Sequence, residues 1–191
     1  MRLKHVNNLL FAATVLILLY IIVAPVLPVL TFWLQSRTDR ATQLAAQLTL
    51  PASNVNVGSG DRIVIPAMLL NEPINEGSDL RALHNGGTWR RPKTSTPDSG
   101  GNTVIVAHRY TYTNPRGTFY FLNKIKTGDE IGVFWHGKRY VYRAVSIKTV
   151  SPDDSSVEAP TTQARLTLYT CTPLWLPKDR LVVAANLETQ P

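Results

Sequence analysis

The sequence predicts a mainly β domain, a largely antiparallel barrel or sandwich, carried behind one apolar helix long enough to cross a membrane. Three observations predict it. No charged side chain occurs between Val6 and Ser36. Beyond Asp61 the chain breaks into short apolar runs rich in β-branched and aromatic residues, punctuated by Gly, Pro and Asn. Helical patterning in that part is confined to brief pieces near Ser78–His84 and Thr118–Lys124, which argues against a βαβ array.

Taken in order, the chain opens with a basic tip, Arg2 and Lys4, followed by the stretch Leu9–Leu34, which is almost wholly apolar. Its length of about 25 residues exceeds the ~20 needed to cross a bilayer and the ~7 to 15 of a signal-peptide core. Residues 1–36 therefore read as a cytoplasmic tip and an uncleaved signal anchor. The competing reading is a cleaved signal peptide with its site among the alanines of Ala41–Ala46. Pro25 and Pro28 should bend or end the helix, because each lacks a backbone donor and crowds the preceding turn. Arg37 and Arg40 follow the span, so the charge bias across it is weak. The tip is too short to form a domain, and the expected arrangement leaves it inside, with the rest of the chain outside the cell on a single-pass anchor.

Residues 37–61 read as stalk and linker: Arg37–Leu50 has helical character, Pro51 stops it, and PASNVNVGSGD is a linker by composition. The folded domain is expected over residues 62–191. Its strand candidates are Arg62–Pro66, Thr103–Ala107, Ile131–Trp135, Arg139–Val145, Arg165–Thr170 and Leu181–Ala185, with His136-Gly137-Lys138 turning a hairpin between the third and fourth.

Net charge is +7 for the chain and +5 beyond Leu34, where 18 of the 20 basic residues and all 13 acids lie. The densest basic cluster, Arg90-Arg91-Pro92-Lys93, lacks interleaved aromatics and reads as a solvated loop. A nucleic-acid partner is excluded on this pattern; a mildly basic domain suits an anionic envelope surface.

Chemistry concentrates on the one cysteine. Cys171 sits where the alternating run RLTLYT gives way to a loop, and it has no second cysteine to pair with. Free cysteine is often a small buried hydrophobe, so position alone leaves packing and catalysis evenly matched. A nucleophilic thiol needs a base or a cation beside it to raise its thiolate fraction. Of the four histidines, His108 alone follows a buried-looking strand and opens a loop, as Cys171 does. Arg180 lies nine residues after Cys171 at the start of another strand, and a hairpin return would bring it alongside. Its fork of donors suits a carbonyl or a developing oxyanion, although a salt bridge to Asp179 would explain it equally well.

The segments DRIVIPAMLLNEPINEG, GNTVIVAHR, TGDEI, LTLYTCTP and DRLVVAANL, in that order over about Asp61–Leu187, resemble a sortase, the membrane-anchored cysteine transpeptidases of Gram-positive-type envelopes. The resemblance is carried by TLxTC, by an arginine a short loop later, and by a histidine at an earlier strand end. It implies an eight-stranded β-barrel with short helices whose rim carries Cys171, His108 and Arg180. It further implies cleavage of an LPxTG-like or LAxTG-like sorting signal through a thioacyl enzyme at Cys171; neither a cofactor nor a metal is expected. The expected partners are surface proteins bearing that signal and an amine on a peptidoglycan precursor or a pilin. Thr170 and Leu168 are expected to line or support the cleft. Ala107, expected with them among the substrate-binding residues, stands where many sortases have glycine before the histidine, which alters the backbone approach at the cleft without removing the base.

A housekeeping or class E-like member fits better than a pilin-polymerising one, since no second span follows the barrel sequence and no aromatic and acidic lid precedes it. Asp153, Asp154 and Glu158 invite a calcium reading, but a solvated loop is the better expectation. The L,D-transpeptidases also pair Cys with His, yet Tyr169-Thr170 lacks the context that usually precedes their cysteine. A non-catalytic anchored binding module, with Cys171 merely packed, is the remaining alternative.

Overall fold

The computed structural model describes the chain except residues 1, 25, 37, 51–58, 84–85, 111–117, 175 and 190–191. Most of the expected linker, His84, and the loop after Tyr110 therefore lie outside the described residues. The chain divides into two units, residues 1–38 and 39–191.

The first unit holds α1 (Arg2–Val23) and α2 (Leu27–Ser36). Lys4–Val23 is one helix of 20 residues with mean hydropathy 2.4, long and apolar enough to cross a membrane. Helix α1 ends just before Pro25, and α2 resumes with Pro28 in its first turn, where a missing donor costs no intrahelical bond.

In the second unit α3 (Arg40–Thr49) precedes a closed barrel of eight strands. These are β1 (Arg62–Ile65), β2 (Leu70–Asn75), β3 (Thr88–Arg90), β4 (Asn102–Val106), β5 (Glu130–Trp135), β6 (Lys138–Val150), β7 (Arg165–Thr172) and β8 (Asp179–Thr189). Around the barrel the order is β1-β2-β3-β4-β7-β8-β6-β5. All pairs are antiparallel except β2 with β3 and β4 with β7. Helical pieces inside the barrel sequence shrink to 3-10 turns such as Leu80–Leu83 and Leu122–Lys124.

Local sequence accounts for most of this. β5 and β6 join through His136 and Gly137, both at positive φ, the two-residue geometry whose twist matches a hairpin. The amphipathic α3 buries Leu44 and Leu48. Gly132 on β5 admits that close approach, because a methyl group there would collide with the Leu48 side chain.

Strand alternation then separates two faces. Ile105, Leu166, Leu168 and Val183, which the registers place on one face, are fully buried and fill the barrel. The opposite face of β4 carries Val104 and Val106, which pack with Leu83 and Trp89 in a second cluster that Tyr169 joins.

Asn102 locks this second face. It is 3% exposed, and its Nδ2 donates to the Val157 and Ala159 carbonyls at 3.1 and 3.0 Å while Oδ1 accepts from Thr167 Oγ1 at 2.7 Å. One side chain so ties β4 to β7 and to the β6–β7 connection. Asn102→Ala strands two buried polar groups, the Val157 carbonyl and the Thr167 hydroxyl, and should cost about 3 kcal/mol, read as a lower urea midpoint at unchanged slope.

Candidate active site

Cys171 lies one residue before the end of β7 and is exposed. Across the β7–β8 hairpin its register partner is Arg180, so the two side chains leave the same face of the sheet. The hairpin return expected from the sequence is therefore present. The Asp179 salt bridge is not: among the described residues Arg180 joins no ion pair.

His108 reaches the same place from the other side. Parallel pairing of β4 with β7 runs from Asn102 opposite Arg165 to Val106 opposite Tyr169. Two side-chain bonds carry the alignment past the strand end. Thr170 Oγ1 donates to the Ala107 carbonyl at 2.8 Å, and Arg109 Nη1 donates to Thr172 Oγ1 at 2.6 Å. These bonds join the residues that flank His108 to those that flank Cys171. The His108 carbonyl in turn accepts from the Phe119 amide at 3.0 Å, and its side chain is exposed.

Thr170, Leu168 and Ala107 are all buried. Leu168 belongs to the barrel interior, and Thr170 acts through its bond to Ala107; these residues support the rim from beneath.

Sequence reading missed several parts of the site. Arg109, adjacent to His108, is one of them; burial pulls its guanidinium below the usual arginine range, and it spends a donor on Thr172. Tyr169 is another, on the Cys171 face, with Arg180 Cζ 5.0 Å from its ring centroid. Only the position of Tyr169 inside LTLYTC hinted at either role.

A cavity of about 330 Å³ opens on the same face, lined among others by Asn102, Lys148, Val157, Arg165, Thr167 and Val182. Thr167 is four residues before Cys171, so the cavity lies ~13 Å along β7 from the thiol. Its outer wall is the β6–β7 connection, where two carboxylates are engaged. Glu158 accepts from Arg91 and Tyr169, and Asp154 caps Ser156. Among the described residues no group of three His, Cys, Asp or Glu side chains converges on a metal position.

A closed mixed barrel with a thiol, an arginine and a histidine-bearing strand end meeting at one rim defines a narrow class. Residues 63–188 match the family described as the sortase domain. The chain belongs to the sortase family. It is 35% identical over 134 residues to sortase SrtE1 of Streptomyces coelicolor, a match covering 62% of this chain and 37% of that protein. The chain thus spans well under half the length of that curated relative. Among solved structures, S. coelicolor sortase E1 with a tripeptide in its active site aligns at TM-score 0.61 and 29% identity, covering 70% of this chain and 90% of that one. Sortase C-1 of Actinomyces oris aligns at TM-score 0.61 and 31% identity, covering 68% and 73%.

Proposed function

We propose that this protein is a cysteine transpeptidase that cleaves an LPxTG-like or LAxTG-like sorting signal and transfers the released protein to an amine of the cell envelope. The observation that carries the reading is the meeting of Cys171, Arg180 and the His108 strand end on one exposed rim. The similarity to a sortase solved with a tripeptide in its active site favours a peptide substrate.

The steps follow from what each group does. The Cys171 thiolate attacks the carbonyl carbon that follows the threonine side chain, giving a tetrahedral oxyanion. Arg180 donates to that oxygen, and its fixed fork is suited to do so without reorganising. The C–N bond then breaks, and His108 as imidazolium hands a proton to the departing amine, leaving a thioester on Cys171. An incoming amine attacks the thioester and gives its proton to the now neutral His108 as the C–S bond breaks, which restores the Cys171 thiolate and the His108 imidazolium. The signal lies along the face of β4, β7 and β8, with its far end toward the cavity at Thr167. The apolar span of α1 tethers the enzyme to the membrane, with the barrel outside the cell, where both the signal and the amine are found.

The test is a transfer assay with short LPxTG and LAxTG peptides and a glycine-based or diamino-acid amine. A ligated product from the wild-type chain and none from Cys171→Ala is the expected result. Cleavage or ligation that survives Cys171→Ala overturns the reading. The same panel of amines separates a peptidoglycan-type acceptor from a pilin-type lysine.

A further inference from the structure

A partly exposed arginine such as Arg180 is a poor oxyanion donor unless something holds it, because its long side chain samples many rotamers and its head prefers water. Arg180 has such a holder. Cys171 faces Arg180 and Tyr169 faces Val182, so Tyr169 and Arg180 are diagonal cross-strand neighbours on the catalytic face. The Arg180 guanidinium carbon lies 5.0 Å from the centroid of the Tyr169 ring, within cation–π range.

The ring itself is fixed from its far end. Tyr169 Oη donates to Glu158 Oε1 at 2.5 Å, and the same oxygen accepts from Arg91 Nε at 2.9 Å. Arg91 in turn lies over the Trp89 ring at 4.8 Å. Trp89 is 1% exposed and donates its Nε1–H to the Gly77 carbonyl at 3.0 Å. Burial first, and then the bond to Glu158, push the Tyr169 phenol far above its ordinary range, so it remains a donor at any physiological pH. A continuous chain of contacts thus runs from buried β3, through the β6–β7 connection, to the guanidinium opposite the thiol.

We propose that Tyr169 is a positioning residue: its ring, tied down by Glu158 and Arg91, holds the Arg180 guanidinium in place beside Cys171. This inference rests on the role given to Arg180 above. It also assigns Glu158 a task, as the link that makes the β6–β7 connection part of the site's support.

The test uses the full chain in detergent and a fluorogenic sorting-signal peptide, with kcat and KM measured separately. Tyr169→Leu and Tyr169→Gln both remove the π-face, so that a folding failure of either leaves the other to report. Each should lower kcat about tenfold, the scale of a lost cation–π contact at a partly desolvated site, with KM changed less than about twofold. Tyr169→Phe keeps the face and should return kcat to within about threefold of wild type. In an Arg180→Ala background, Tyr169→Leu should add no further loss. If Arg180→Ala is impaired while Tyr169→Leu turns over normally, or if the two losses simply multiply, the positioning role is overturned and the role of Arg180 stands. If Arg180→Ala retains full activity, the role of Arg180 falls, and the role of Tyr169 with it.

Discussion

Cys171→Ala is expected to reduce peptide cleavage by roughly 10⁴-fold or more, to the uncatalysed background, while leaving the fold intact. The first half of that expectation follows from the absence of another thiol: the chain has one cysteine, and no neighbouring hydroxyl on the same face takes its register position opposite Arg180. The second half follows from exposure. Cys171 is exposed at the end of β7, so removing its sulfur opens no cavity, and a substitution of this kind shifts stability by about 0.5 kcal/mol or less. Thermal unfolding of the variant checks the fold, and peptide cleavage checks the chemistry. Iodoacetamide provides the complementary reading, since the folded wild-type chain should be alkylated and thereby inactivated. A packed structural cysteine would resist the reagent.

Arg180→Ala and His108→Ala form the second large expectation. Losing an oxyanion donor costs about 10² to 10³ in kcat, and losing a general acid–base group costs about 10² to 10⁴. Both variants should keep KM near that of wild type, because each group acts on charge that develops in the transition state. Arg180→Lys should not recover the loss. An ammonium presents no planar fork, and its compact, strongly hydrated head is poorly matched to the Tyr169 ring that now carries the guanidinium at 5.0 Å. A lysine variant with wild-type kcat would mean that position 180 supplies only a diffuse positive charge.

The strands that the sequence revealed are those whose own residues demand an extended, buried backbone. β4 and β7 are runs of β-branched and aliphatic residues, and the β5–β6 hairpin announces itself through Gly137. β2 and β3 were illegible for opposite reasons. β2 reads Leu-Asn-Glu-Pro-Ile-Asn, with a proline inside and no period-two pattern, and β3 is only Thr-Trp-Arg. Both are strands because neighbours supply their hydrogen bonds, a tertiary cause with no local signature. The two parallel pairings were hidden as well, since the β4–β7 pairing joins segments about 60 residues apart in the chain.

The same division holds at the rim. Cys171 and Arg180 were legible because a hairpin brings them together, and hairpin register is a local property. The brackets around His108, from Thr170 to Ala107 and from Arg109 to Thr172, each span 63 residues. So does much of what steadies Arg180: Glu158 meets Arg91 across 67 residues. Glu158, expected from the sequence to lie in a solvated loop, is half-buried and accepts from both Arg91 and Tyr169. Long-range polar contacts of this kind carry no period and no motif.

The central claim is that Cys171 carries the acyl group, and intact-mass spectrometry of the full chain tests it most directly. The protein is mixed with an LPxTG or LAxTG peptide, without added amine, and quenched in acid. The account predicts a mass increase equal to the peptide up to and including its threonine, mapped to Cys171 and released by hydroxylamine, and no such increase in Cys171→Ala. Peptide cleavage by the wild-type chain without an adduct, or an adduct that persists in Cys171→Ala, would contradict it.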